Sequence, residues 1–135
     1  MSRVIETYDD TMQENAEALA EHVVGHRIVS VGRETIKPAR YYWGTAEALV
    51  LTLDNGKRVA LRDTSDCCAY TELDTFLLHA DKIDHIITGV GTSNEHQKWH
   101  IYADMGDVLE LQVAWSEGNP YYYGYGFDIE VVELP

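Results

Sequence analysis

The sequence predicts an α+β domain: an antiparallel β-sheet or partly closed barrel of about seven strands, with one N-terminal helix and one short helix after the first hairpin. Three observations carry this expectation. Two loops of the same chemistry, Asp54-Asn55-Gly56 and Asp104-Met105-Gly106, sit between apolar runs. Residues 121–132 alternate with period two, with Tyr121, Tyr123, Tyr125, Phe127, Ile129 and Val131 on one side. A helical period is clear at residues 9–24, where Met12, Ala16, Leu19, Ala20 and Val23 fall on one face.

The elements follow in order. Helix 9–24 has Thr11 and Glu14 in capping-box spacing, with Asp10 as an alternative cap, and Gly25 as its stop. A first strand is expected from 26 to 33, then a loop over 34–46 that contains Pro38 and Tyr41-Tyr42-Trp43. In hairpin 48–62 a two-residue turn would mix faces. A three-residue loop with Gly56 in the left-handed region instead opposes Leu51 to Val59 and Leu49 to Leu61. Residues 67–79 read as a short helix, from Tyr70, Leu73 and Leu77 on one stripe and Thr64, Ser65 and Asp66 as caps. A strand is expected at 83–90. In the hairpin at 99–115 the same test opposes Ile101 to Leu109 and Trp99 to Leu111, with Gly106 left-handed. A last strand covers 121–132, where Gly124 and Gly126 permit close approach of another group. The whole reads as a single domain over 1–135, a β-rich body at about 26–133 behind the helix.

The net charge of −13 is concentrated at the ends: −5 over residues 1–24 and −7 over 99–135, the latter without Lys or Arg. A nucleic-acid binder neutralises phosphates with cations, so direct nucleic-acid binding is not expected, nor is an anionic membrane surface. No apolar run spans a membrane and no export signal opens the chain, so the expected place is the cytoplasm. The acidity serves solubility, or offers a face to a basic partner or a mimic of DNA. Cys67 and Cys68 are adjacent, only ~3.8 Å apart at Cα, too close for an unstrained disulfide.

The segment Asp63-Thr64-Ser65-Asp66-Cys67-Cys68-Ala69-Tyr70 is the least ordinary. At the start of a helix its thiols would be activated; alternatively they pack as small apolar groups. A nucleophilic cysteine needs a base, and His79, His85, His96 and His100 are not tied to it by spacing. No metal or cofactor is expected: there is no Cys-x-x-Cys pair, and His96 and His100 on one strand would stand roughly 13 Å apart. Gly25 separates His22 from His26. Asp81, Asp84 and His85 flank a strand start, where charge is usual, so no catalytic residue is assigned. Trp99, Trp115 and the tyrosines of 121–125 could form an aromatic platform, with Tyr122 its best surface candidate and Tyr41, Tyr42 and Trp43 similar.

Asp66-Cys67-Cys68 after the Asp-Asn-Gly hairpin, Trp99-His100-Ile101-Tyr102, and Gly118-Asn119-Pro120-Tyr121-Tyr122 together resemble a family of small uncharacterised proteins. The family belongs to actinobacteria and their bacteriophages and has no assigned activity; the resemblance spans roughly residues 22–133. It implies a phage or prophage accessory protein acting in the host cytoplasm. It also makes Asp66, Cys67, Cys68, Asn119 and Tyr122, with Tyr70 beside them, the candidate binding residues. The expected function is a non-catalytic module that binds a host or phage protein, with a homodimer as one arrangement. An acidic DNA-mimic inhibitor and a ligand, metal or thiol site at Cys67/Cys68 are the alternatives.

Overall fold

The computed structural model describes residues 3–38, 44–65, 69–116 and 126–132, with side chains from residue 11 onward. Among these, one helix, α1 (Arg3–Val23), precedes nine strands: β1 (Ile28–Ile36), β2 (Ala46–Leu53), β3 (Arg58–Arg62), β4 (Thr64–Ser65), β5 (Tyr70–Leu78), β6 (Ile87–Ser93), β7 (Lys98–Ala103), β8 (Gly106–Ser116) and β9 (Asp128–Val132). A 3₁₀ turn, Ala80–Lys82, links β5 to β6. The strands form two antiparallel sheets, ordered β1-β2-β3-β9 and β4-β5-β8-β7-β6, one of them curled into a half-barrel.

Both hairpins adopt the predicted registers. Leu49 opposes Leu61 and Leu51 opposes Val59; Trp99 opposes Leu111 and Ile101 opposes Leu109. Gly56 and Gly106 take positive φ, 86° and 112°, a region open to glycine without a Cβ clash. Leu49, Leu51, Ile101, Leu109 and Phe127 all lie in one buried core with Met12, Ala16, Leu19 and Val23 of α1. The helix thus supplies the apolar stripe that the two sheets close upon. Each fully buried leucine or isoleucine contributes about 1.5–3 kcal/mol. Trp99 is fully buried and meets Phe127 edge-on, ring centroids 5.3 Å apart, so its expected place on a surface platform is overturned.

The largest correction is β5. Residues 70–78 are a strand, not the expected helix. Thr71, Leu73, Phe76 and Leu78 face inward, opposite Trp115, Val113, Leu111 and Leu109. A bulge between Leu73 and Thr75 inserts one residue. Inward positions therefore run 71, 73, 76, 78, and the bulge lets Tyr70 and Leu77 share the outward face, so the three residues read as one helical stripe, Tyr70, Leu73 and Leu77, lie on opposite faces of the strand. Arg33 of β1 covers the bulge, donating from Nη2 to the carbonyls of Leu73 and Asp74 at 3.2 and 3.1 Å.

Other boundaries move too. α1 begins at Arg3, so Thr11 lies inside it and cannot cap it, while Gly25, φ 89°, does end it. β1 extends to Ile36, into the stretch expected as loop. The strand expected at 83–90 begins only at Ile87 and runs to Ser93, because Ile83 caps the 3₁₀ turn. β9 is shorter than the expected 121–132; the part over 121–125 lies outside the described residues. Phe127 nevertheless faces the core, as the alternation required.

Sheet β1-β2-β3-β9 is also covered at the centre of its other face. Ile36, Ala48, Val50 and Ala60 form a second buried cluster with Val132. Arg58 and Arg62 lie there, paired to Glu34 and Asp128.

Candidate functional site

The second sheet keeps an open face. On β7 Trp99, Ile101 and Ala103 are buried, so the period of two turns Lys98, His100 and Tyr102 outward. Their partners turn the same way: Gly89, Gly91 and Ser93 on β6, and Asp107, Glu110 and Gln112 on β8. Beyond them on β5 stand Thr75 and Leu77, opposite Gln112 and Glu110.

Two hydrogen-bonded chains cross this face. His100 Nδ1 lies 2.9 Å from Asp107 Oδ2, and its Nε2 lies 2.8 Å from Ser93 Oγ. An ionised carboxylate only accepts, so Nδ1 is the donor towards Asp107; with His100 neutral, the Ser93 hydroxyl then donates to Nε2. In the second chain Glu110 Oε1 accepts from Lys98 Nζ at 2.9 Å and Oε2 from His79 Nε2 at 2.5 Å. Lys98, then His79, hold the Glu110 carboxyl down to about 2 against the opposing effect of burial. The same contact raises the Lys98 ammonium.

His100, Asp107 and Glu110 offer ligand atoms all within 4.8 Å of one another. Nitrogen with two carboxylates suits zinc or manganese in kind. Glu110, however, already answers two donors, one of them the Lys98 ammonium. A dication would have to displace that cation, so the set fits a resident metal poorly. Beside it is a shallow depression of about 200 Å³ lined by Thr75, Leu77, Lys98, Glu110 and Gln112 among others.

The β6–β7 connection is costly. Asn94, Glu95 and His96 have consecutive φ of 54°, 55° and 63°, a left-handed turn that costs L-residues roughly 1–2 kcal/mol each. Its neighbours over-determine it. Trp99 Nε1 donates to the His96 carbonyl at 3.2 Å, Trp115 Nε1 to the Glu95 carbonyl at 2.8 Å, and Thr92 Oγ1 meets His96 Nδ1 at 2.7 Å.

Of the residues singled out in the sequence, Asp66, Cys67, Cys68, Asn119 and Tyr122 lie outside the described residues, as do Tyr41, Tyr42 and Trp43. Tyr70 is described: it opens β5, pairs with Ser65 and Ser116, and is 38% exposed. The described residues next to segments 66–68 and 117–125 meet at one corner. There Thr64 Oγ1 donates to the Gly126 carbonyl, and Gly126 N–H donates to Thr71 Oγ1, both at 2.7 Å.

Ser93, His100, Asp107 and Glu110 were not predicted as a group. The register that opposes Ile101 to Leu109 already places His100 against Glu110. Ser93 and His79 carry no such signal, since their neighbours come from strands not joined to theirs by a recognisable glycine turn.

Residues 21–129, from the end of α1 into β9, match the model of one protein family. No curated protein and no solved structure matches the chain.

Proposed function

The chain belongs to that family, described as a domain of unknown function (DUF7448), and we propose that it is a protein-interaction module, docking the basic surface of a partner on the open face of its five-stranded sheet. One observation carries the reading. Tyr70, Leu77 and Tyr102, exposed by 38%, 56% and 38%, share the face that bears Glu72, Asp107 and Glu110. Aromatic and aliphatic side chains among charges that are acidic in excess, Lys98 being paired to Glu110, make a surface that attracts a protein of opposite charge, and the net charge of −13 acts in the same direction.

The test uses the intact protein as bait in an actinobacterial host lysate, beside Tyr70→Lys and Leu77→Lys variants checked by circular dichroism. A partner held by wild type and lost by both folded variants supports the reading. A partner held equally by all three, or none at all, removes it. Sedimentation at rising concentration reports whether a second copy takes the face instead. The origin in a phage or prophage and action in the host cytoplasm rest on the Asp-Cys-Cys and Gly-Asn-x-Tyr-Tyr motifs. Among the described residues no helix is long and apolar enough to cross a membrane.

A DNA-mimic inhibitor is the second reading. Glu14, Glu17 and Glu21 are exposed on α1, about 4.5 and 6 Å apart along its axis, a spacing of the order of adjacent phosphates. Binding to a nuclease or nucleoid protein that ignores salt would remove it. The thiol alternative draws on the meeting of Thr64, Thr71 and Gly126 beside segments 66–68 and 117–125. Thiols titrating near the ordinary ~8.5 would end it.

A further inference from the structure

The chain Ser93–His100–Asp107 goes beyond docking and does not depend on it. Serine meets Nε2 and aspartate meets Nδ1, at 2.8 and 2.9 Å. That is the assignment of nitrogens a serine hydrolase uses, and such a triad is recognised by geometry and roles rather than by fold. The three residues come from three adjacent strands, whose backbone hydrogen bonding fixes their spacing. Ser93 is exposed, while His100 and Asp107 are half-buried, with side chains 25% and 29% exposed.

We infer that these residues form a hydrolytic relay for neutral or cationic carboxylic esters with a short acyl group: Ser93 the nucleophile, His100 the base and acid, Asp107 the positioning residue. Ser93 Oγ bonds to the ester carbonyl carbon as its proton passes to His100 Nε2. The carbon–alkoxy bond breaks, and the leaving alcohol takes that proton. Water then attacks the acyl-Ser93 carbonyl, gives a proton to His100, and releases the acid as that proton returns to Ser93 Oγ. The sum is ester plus water to acid plus alcohol.

Two neighbouring features fit these roles. Ser93 leads directly into the strained turn 94–96, and strain held in place by surrounding contacts clusters at functional sites. The Glu95 carbonyl accepts from Trp115, and the Asn94 carbonyl accepts from Gln97 N–H. In trans peptides the N–H groups of His96 and Glu95 point the opposite way, and the proposal assigns these donors to the developing oxyanion. The depression of about 200 Å³ bounded by Lys98, the cross-strand partner of Ser93, receives the acyl group. It is smaller than a typical drug-sized site, hence the short chain. Asp107, Glu110 and Glu95 nearby disfavour an anionic substrate.

The experiment treats the full chain with a fluorophosphonate probe and locates the adduct by peptide mass spectrometry, beside hydrolysis of 4-nitrophenyl acetate. The expected result is one adduct on Ser93. Ser93→Ala and His100→Gln lose the adduct and about 10²-fold or more in rate, with the unfolding midpoint of Ser93→Ala unchanged. Asp107→Asn lowers the rate and moves the midpoint of its pH profile, which a merely structural aspartate would not do. The anionic glutarate half-ester reacts more slowly than acetate. Absence of a Ser93 adduct on wild type, or wild-type hydrolysis by Ser93→Ala, overturns the proposal.

Discussion

Asn15 of α1 brackets the backbone of Phe127: its Nδ2 donates to the Phe127 carbonyl at 2.9 Å, and its Oδ1 accepts the Phe127 N–H at 2.8 Å. A single amide side chain thereby satisfies both polar groups of a residue whose ring enters the core, just ahead of β9. Replacing Asn15 by leucine keeps comparable volume and removes both partners. Leaving backbone groups unpaired in a partly buried place costs about 1–3 kcal/mol each. Urea unfolding of Asn15→Leu is expected to show a loss of about 2–3 kcal/mol with an unchanged slope; a loss below ~0.5 kcal/mol would mean that water replaces the side chain.

Gly126 stands against the same asparagine. Its φ is 117°, and a Cβ there would lie 3.0 Å from Asn15 Cγ. Gly126→Ala therefore meets both backbone strain and a fixed neighbour, and about 2 kcal/mol or more should be lost. Gly25, with φ 89° but open space around it, is the control: Gly25→Ala should cost about 1 kcal/mol, from strain alone. Equal losses in thermal melts of the two variants would deny the Asn15 contact its role.

Acid should loosen the outer face through Glu110. Its folded value, about 2, lies below the ordinary 4.5. A depressed carboxyl adds stability above its unfolded value and loses it as pH falls towards the folded one. The contribution is thus present at neutral pH and fades between about 4.5 and 2. Glu110 is partly exposed, so the amount is about 1–3 kcal/mol after screening. Glu110→Gln should be less stable than wild type at pH 7 by that order, with the gap closing towards pH 2 in urea titrations. A constant gap would assign its effect to packing.

The turn at 94–96 offers a gain. Asparagine tolerates the left-handed region, whereas glutamate does not. Glu95→Gly should therefore stabilise the chain by up to about 1 kcal/mol, net of glycine's own entropy cost, while Asn94→Gly changes little. If the proposed relay uses this turn, Glu95→Gly also lowers esterase turnover while raising the unfolding midpoint.

Local chemistry was legible wherever one short turn fixed a register. Gly56 and Gly106 each announced a three-residue loop, and the apolar partners across both hairpins followed. The core face of α1 was legible because Met12, Ala16, Leu19 and Val23 hold a strict helical period. What failed was β5, where the bulge at Leu73–Thr75 breaks period two, so no clean alternation competes with the helical spacing of Tyr70, Leu73 and Leu77. The start of α1 failed for a related reason: Thr11 with Glu14 fits a cap, but the chain N-terminal to it is also helical. The open face was half legible. His100 against Glu110 follows from the second hairpin, but Ser93 reaches His100 through the β6–β7 pairing, whose turn carries no glycine. Cooperation among strands, which no window of sequence contains, assembled that group.

Tyr102 has a consequence for the edge of the sheet. β6 is a terminal strand with glycine at 89 and 91, and the ring of Tyr102, from the strand beside it, occupies the space their missing side chains leave: a Cβ on Gly89 would lie 2.4 Å from the tyrosine hydroxyl. Ile87, fully buried and hydrogen-bonded to Gly25 and His26, pins the start of β6; the glycine-bearing stretch beyond it has less to hold its alignment, and such strands slip or recruit foreign chains. The borrowed aromatic ring acts as a latch on that alignment. Removing it leaves the core and the Ile87 end of β6 in place but loosens the strand's outer half, so guarding that edge against aggregation falls to one side chain that the core does not need.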